Sequence, residues 1–371
     1  MGRVVAASGI VFELVVFATT KATSKAANAT TYAVHRDDCF RDDDICDVPP
    51  DLTLASGLPE RAVGSLIAVV DSSDEYRHVA SDELLWNESW YFDVVAPDAS
   101  WAMYARLGLY PNVGGAWWWA VVVRRGEPLL LVRDHSLASP RGKSFEIRGD
   151  ALWADLTCHE PMQRWQVNFE GVAVALDDPT EAYRTERGDR VPIEFEFEWE
   201  SAAPPFEYPG LSRYEVSCDV HGEVQIGSSA NRLTLDAPVP GQRDHSWGVR
   251  DWWSFPWVWT AGSLDDGTRF HASRPAIEGV KYEPAYVVED GEMRGGLHFD
   301  VEVAAGADGF PSTTTMCVNG LDVVATPELV GGVAMAAPDG RIGLLHRAAS
   351  TFVTPDGRRG VGWMEYNLPP R

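Results

Sequence analysis

From Trp86 onward the chain alternates apolar and polar positions with a period of two, the pattern of strands half-buried in a sheet. In NESWYFDVV, Trp90, Phe92 and Val94 fall on one face, Tyr91 and Asp93 on the other. SWAMYARLGLYPN continues the pattern to a Pro-Asn turn. AWWWAVVVRRGEPLLLVRDHSL predicts a hairpin around Arg125-Gly126-Glu127, SFEIRGDALWADLTC adds another pair, and WQVNFEGVAVALDD extends it. VPIEFEFEWES, Val191 to Ser201, alternates so regularly that one face must be buried and the other solvated. YEVSCDVHGEVQIGSSANRLTLDAPVPG predicts further strands with a turn at Gly222, and short strands with Asp-Gly turns follow Pro275. Helical spacing is confined to PTEAYRTERGD and to a turn in DEYRHVASDELL, which follows a short strand in LIAVVDSS. Turn-separated strands at spacings of roughly 8–12 residues predict an all-β sandwich or barrel. At 371 residues the chain has room for two such cores, with a boundary expected within residues 177–210.

Ahead of this region the alternation stops. Lys21 to Gly64 is small, polar and acidic, with HRDDCFRDDDICDVPPD as its charge cluster, and reads as a loose leader or linker. The first residues, Arg3 and then VVAASGIVFELVVFATT, resemble a signal peptide interrupted by Glu13 and lacking a clean cleavage site. A cytoplasmic location is therefore expected, with secretion the outcome if that segment is processed. No later stretch has the eighteen or so uninterrupted apolar residues of a spanning helix, so no stable membrane insertion is expected. A formal charge of -24 without a basic stripe argues against a nucleic-acid partner. The five scattered cysteines form neither a disulfide framework nor a zinc motif, and only Cys39 and Cys46 stand close enough to suggest pairing. Most common hydrolase, nucleotide and zinc readings fall away with the lack of any G-x-S-x-G, P-loop, H-E-x-x-H or paired C-x-x-C motif.

Candidate chemistry concentrates in GQRDHSWGVRDWWSFPWVWTAGSLDDGTRFHASRP, Gly241 to Pro275, which carries five tryptophans. On a strand His245 and Trp247 share a face. With Asp244 and Asp251 near in sequence, the group suggests an acid tuned by burial, the acid being Asp244 or Asp251 and His245 fixing its proton. The bland reading is a core histidine that braces the fold against a carboxylate. Trp252, Trp253, Trp257 and Trp259 are candidates for a cavity wall whose π faces stabilise a cation, or for plain core. Asp265-Asp266-Gly267 reads as a hairpin turn, and Arg243 and Arg250 as partners of the nearby aspartates. Glu88, near Trp90, and Glu365 in GWMEYN occupy aromatic settings and are candidates to line the same cavity.

RDHSWGVRDWW followed by WVWTAGSLDDGTRF is similar to the Asp-His-x-Trp-Gly, aromatic-strand and Leu-Asp-Asp-Gly pattern of the calycin-like superfamily. That superfamily includes carotenoid 1,2-hydratase (hydroxyneurosporene synthase) and AttH, and the chain resembles in particular an actinobacterial-type branch. NESWYFDVV resembles the Trp-Tyr-Phe-Asp strand of their N-terminal half, so the resemblance covers roughly residues 83–371. It implies two consecutive lipocalin-like antiparallel domains and a hydrophobic small-molecule ligand, usually isoprenoid or lipid. It also implies alkene hydration without metal or organic cofactor, with His245 and Trp247 on the family's His-x-Trp pair. A Tyr-x-Asp pair of the hydratases would lie near FHASR, where this chain has Phe270, His271, Ala272, Ser273 and Arg274.

These observations combine into one expectation. An extension over residues 1–65 precedes lipocalin-like β domains at 66–190 and 191–371. They act on a hydrophobic, isoprenoid-like molecule as a cofactor-independent hydratase or cyclase, or else carry it unchanged. His245, Asp244 and Asp251 are the catalytic candidates. Trp247, Trp252, Trp253, Trp257, Trp259, Glu88, Trp90 and Glu365 are the binding candidates.

Overall fold

Strands with apolar residues on both faces need cover on both faces, and β1 (Trp86–Val95) and β2 (Trp101–Tyr110) are buried at all ten positions. They belong to a computed structural model that describes residues 70–370. The leader, the 1–65 extension, the Cys39/Cys46 pairing and residues 66–69 of the LIAVVDSS strand lie outside the described residues. A 3-10 turn at Ser72–Glu75 opens the described chain, spanning the end of LIAVVDSS and the first two residues of DEYRHVASDELL, while the rest of the latter forms no helix. PTEAYRTERGD likewise contributes only a 3-10 turn, Pro179–Tyr183.

The chain continues through β3 (Gly115–Arg124), β4 (Leu129–Leu137), β5 (Ile147–Gly149), β6 (Leu152–Glu160) and β7 (Arg164–Leu176). Then come β8 (Asp189–Ser201), β9 (Phe206–Glu207), β10 (Arg213–Ile226) and β11 (Arg232–Val249). These eleven strands make one antiparallel sheet in the order β4-β3-β2-β1-β11-β10-β8-β7-β6-β5, with β9 on β10. Leu129–Leu131 of β4 also pair with Val174–Leu176 of β7, which closes the sheet into a barrel. Its interior is packed with side chains, among them Trp90, Phe92, Trp118, Trp165, Phe195, Phe197 and Trp199. The regular alternation of β8 is observed, with Ile193, Phe195, Phe197 and Trp199 inward and the glutamates between them outward.

A second antiparallel sheet follows: β12 (Trp257–Leu264), β13 (Arg269–Pro275), β14 (Ala285–Glu289), β15 (Glu292–Gly296) and β16 (Phe299–Ala305). It is completed by β17 (Pro311–Val318), β18 (Leu321–Val330), β19 (Val333–Ala336), β20 (Ile342–Val353) and β21 (Arg359–Leu368). The order is β15-β14-β13-β12-β21-β20-β18-β17-β16, with β19 on β20. The protein is therefore all-β in two antiparallel sheets. The expected division at 190/191 falls inside the first sheet, where Val191 pairs with Ala173 and Pro192 with Val172. The chain changes sheets between Val249 and Trp257. Periodicity marks strands but carries no information about which strands pair, and β8 to β11 complete the barrel begun by β1 to β7.

A second core lies between barrel and sheet: Tyr91, Tyr104, Trp117, Trp119 and Val121 from the barrel meet Trp253, Trp259, Leu345 and Trp363. A third lies on the other side of the second sheet, around Phe270, Phe299, Met316, Phe352 and Met364. Gly222 is not the expected turn. It sits within β10 at φ +142° where the register shifts after Val220, and a Cβ there would stand 2.2 Å from the Glu196 carbonyl oxygen. At Gly362 a Cβ would lie 2.1 Å from the Ala261 carbonyl oxygen and 2.5 Å from Gly262 Cα. The β12–β21 contact thus requires glycine. Gly362→Ala is expected to cost about 1–3 kcal/mol in urea unfolding, the usual penalty of overpacking.

Candidate functional site

Because β1 and β11 pair in the barrel wall, each alternates between barrel interior and inter-sheet space, and polar groups gather on both faces. On the interior face Glu88 Oε1 lies 2.7 Å from His78 Nδ1 and 3.1 Å from His245 Nε2, and the His78 backbone N–H donates to the same carboxylate. His78 stacks on Trp247 at 3.9 Å and His245 on Trp90 at 4.4 Å. Burial opposes ionisation of Glu88, but the bonds from His245 and His78 outweigh it and hold its pKa below the ordinary value.

Beside this group, Glu75 accepts from Arg243 Nη1 (3.1 Å) and Nη2 (2.8 Å), Tyr214 Oη (2.7 Å), Trp165 Nε1 (2.9 Å) and the Met162 backbone (2.8 Å). Burial alone would raise its pKa; Arg243 and Tyr214 reverse the sign and leave it lowered. Tyr214 Oη also reaches His245 Nδ1 at 3.4 Å. His78, Glu88 and His245 present three ligand-type atoms within 4.8 Å of one another, the one group among the described residues that could hold a metal ion. Their present 2.7 and 3.1 Å separations are shorter than the ~3.3 Å between ligands around a tetrahedral ion with bonds of about 2.0–2.1 Å. An ion would have to spread them.

The inter-sheet face is built from the intervening residues. Asp93 is 3 % exposed; its Oδ2 accepts from Tyr91 Oη at 2.7 Å and its Oδ1 from the Gln242 backbone N–H at 3.0 Å. Burial pushes this carboxyl up to about 7, against the stabilising bond from Tyr91. Asp244 accepts from Arg213 Nη2 at 2.9 Å, and burial likewise pushes it up against the pull of Arg213. Glu215 gathers Arg213, Gln242 Nε2 (2.8 Å) and Trp259 Nε1 (3.1 Å). Glu365 pairs with Arg347 and accepts from Trp257 Nε1 at 2.7 Å. Arg347 lies over the rings of Tyr91 (4.1 Å) and Tyr104 (4.7 Å).

The sequence candidates are thus divided between two compartments. His245, Trp247, Glu88 and Trp90 meet inside the barrel. Asp244, Glu365, Trp257 and Trp259 meet between the sheets, with Trp252 and Trp253 packed against the same core. Asp244 and His245 do not act on one another: the alternation that aligns His245 with Trp247 sends Asp244 through the wall. Asp251 lies in the loop after β11, where it accepts from the Trp253 backbone at 3.1 Å and pairs with the half-exposed Arg341. It caps a turn. Arg243 pairs with Glu75 rather than with a nearby aspartate, and Arg250 donates to the Ser212, Trp247 and Val249 carbonyls. Asp265 and Asp266 do form the expected turn, with Asp266 accepting from Thr268 N–H at 2.9 Å and Gly267 at φ +89°. His271, near the position of the hydratases' Tyr-x-Asp pair, is buried and bonded to Tyr208 Oη at 2.7 Å; burial drives its pKa well down.

Sequence reasoning missed Glu75, His78 and Tyr214 inside the barrel, and Asp93, Arg106, Glu215 and Arg347 between the sheets. One signal was available. WYFDVV and WAMYARLGLY are apolar on both faces apart from Asp93 and Arg106, so a charge in either strand had to be buried.

A family model described as "Domain of unknown function (DUF7064)" matches residues 71–370. No curated protein matches the chain in sequence. Among solved structures, kievitone hydratase from Nectria haematococca is similar with a TM-score of 0.53 at 9% identity, over 82% of this chain and 94% of that one. CghA gives a TM-score of 0.50 at 10% identity over 80% and 94%. An AttH protein (NE1406) from Nitrosomonas europaea gives 0.48 at 16% identity over 76% and 92%. At these identities the likeness to the hydratase and to CghA is one of fold.

Proposed function

The chain belongs to the DUF7064 family, and we propose that it is an acid–base enzyme that hydrates or cyclises an alkene in a hydrophobic, isoprenoid-like small molecule bound between the sheets. The observation that carries this reading is Asp93: a buried carboxyl with its pKa raised to about 7 and no arginine within ion-pairing distance among the described residues. An acid held neutral near physiological pH is what alkene protonation requires. A hydratase among the fold neighbours agrees with this class of chemistry.

In the proposed reaction the Asp93 O–H bond breaks, its proton forms a new C–H bond on the alkene, and the electron pair stays on the carboxylate. Tyr91 Oη, 2.7 Å away, stabilises that carboxylate. In hydration, water adds to the cationic carbon and its proton returns to Asp93. In cyclisation a second double bond closes on the cation, and a neighbouring C–H gives its proton back. Arg347 already occupies the aromatic faces of Tyr91 and Tyr104, so the ion pair with Asp93, more than π contact, offsets the developing charge.

The carrier reading predicts the same buried aromatic wall but no chemistry. Mass spectrometry of hydrophobic molecules that copurify with the protein, before and after incubation in water labelled at oxygen, separates the two. A gain of one labelled water, or an isomer of equal mass and altered retention, is expected. Recovery of unchanged ligand alone would make the protein a carrier.

A further inference from the structure

Arg106 is a buried cation with no acid in direct contact among the described residues. It projects from β2 into the inter-sheet space, is 6 % exposed, and forms no ion pair among the described residues. Its Nη2 donates to Tyr110 Oη at 3.2 Å, a neutral partner, and its Nη1 has no hydrogen-bond partner among the described residues. The fold makes room for it deliberately: a Cβ on Gly108 would stand 2.6 Å from Nη1, and the guanidinium stacks on Trp119 at 4.6 Å. A buried, unpaired charge costs several kcal/mol unless something neutralises it. The acids nearby are otherwise engaged. Asp244 shares a cross-strand row with Tyr91 and Arg106 and feels the Arg106 charge, but its hydrogen bond goes to Arg213, and Glu365 bonds Arg347.

Position connects this orphan to Asp93. Tyr91 is the cross-strand partner of Arg106, while Asp93 opposes Tyr104, so the acid and the guanidinium are diagonal neighbours on one face. Arg347, whose Nη1 also lacks a hydrogen-bond partner among the described residues, lies over the same Tyr91 ring.

We propose that the substrate carries a carboxylate, which Arg106 binds at the inter-sheet face so that the remainder of the molecule lies across Tyr91 toward Asp93. This rests on Asp93 as the acid, and it resolves a difficulty in that reading. A cation generated beside an unpaired guanidinium is disfavoured by repulsion, and a substrate that brings its own anion cancels the charge before the proton moves.

The test uses the full-length protein and two probes of one carbon skeleton, farnesoic acid and farnesol, with binding followed by tryptophan fluorescence. The wild type is expected to favour the acid by about 10- to 100-fold, the usual worth of a charge-assisted bond. Arg106→Gln should remove that preference, and Asp93→Asn, which addresses the acid reading alone, should retain it. A second measurement needs no ligand: Arg106→Met, which replaces an uncompensated charge by an apolar chain of similar length, should raise the Tm of the free protein. Equal binding of acid and alcohol, or a preference that survives in Arg106→Gln, overturns the carboxylate site and leaves Asp93 untouched. Should neither probe bind, the isoprenoid class falls, and the Tm of Arg106→Met decides for the anion site if it rises and against it if it falls.

Discussion

Asp93→Asn is expected to lower turnover by about a hundredfold to ten-thousandfold, the range over which a positioned general acid contributes, while the variant folds normally. The amide keeps the shape of the carboxyl and can still accept the Gln242 backbone bond at Oδ1, but it has no proton of useful acidity to give. Stability supplies a second readout with a definite sign. The folded pKa of Asp93 is raised from 3.8 to about 7, so its protonated form is the one the fold favours. Its contribution is complete below about pH 4 and is lost as pH rises toward 7, up to ~4 kcal/mol for a shift of this size. The wild type should therefore lose stability relative to Asp93→Asn across that window, and the two urea-unfolding curves should converge in acid. Parallel curves from pH 4 to 8 would show that Asp93 is ionised in the fold and is no proton donor.

The largest effect on stability is expected at Glu75. Glu75→Ala leaves Arg243 buried without a partner and strips acceptors from Tyr214 and Trp165, a loss of about 3–5 kcal/mol. Because the Glu75 pKa is lowered in the fold, its contribution is present above the ordinary carboxylate pKa and disappears as pH falls through the folded value. The gap between wild type and Glu75→Ala should narrow in acid. A double variant, Glu75→Leu with Arg243→Met, should recover much of the loss, since an apolar pair replaces an ion pair at little cost. Additive losses in that cycle would mean that the two residues do not depend on one another.

Period-two alternation was enough to read nearly every strand from β1 to β13, because half-buried strands carry that pattern in their own residues. Pairing is a different kind of information. Closure of β4 on β7 is set by three residue pairs far apart in sequence, so a boundary near residue 190 looked natural to a linear reading. The candidate site failed in a similar way. Asp244 and His245 are adjacent in sequence and separated by the sheet, whereas Glu88 and His245, 157 residues apart, touch. His78 and Glu75 come from a segment with weak periodicity, where only their tertiary partners mark Glu75 as buried and His78 as half-buried. Asp93 and Arg106 were visible as charges in strands apolar on both faces, and that pattern deserved more weight than the tryptophan-rich stretch.

The wall shared by β1 and β11 has a consequence for how this chain can tolerate change. Its two faces hold different polar inventories, Glu88, Arg243 and His245 inward and Asp93, Gln242 and Asp244 outward. One residue inserted into or deleted from either strand would pass every downstream side chain to the opposite compartment, delivering an imidazole to the arginines and an aspartate to the barrel core. Side chains here can be exchanged one at a time, but strand length cannot vary. Sequences of the family should therefore align without gaps through both strands, with insertions accumulating in the connections.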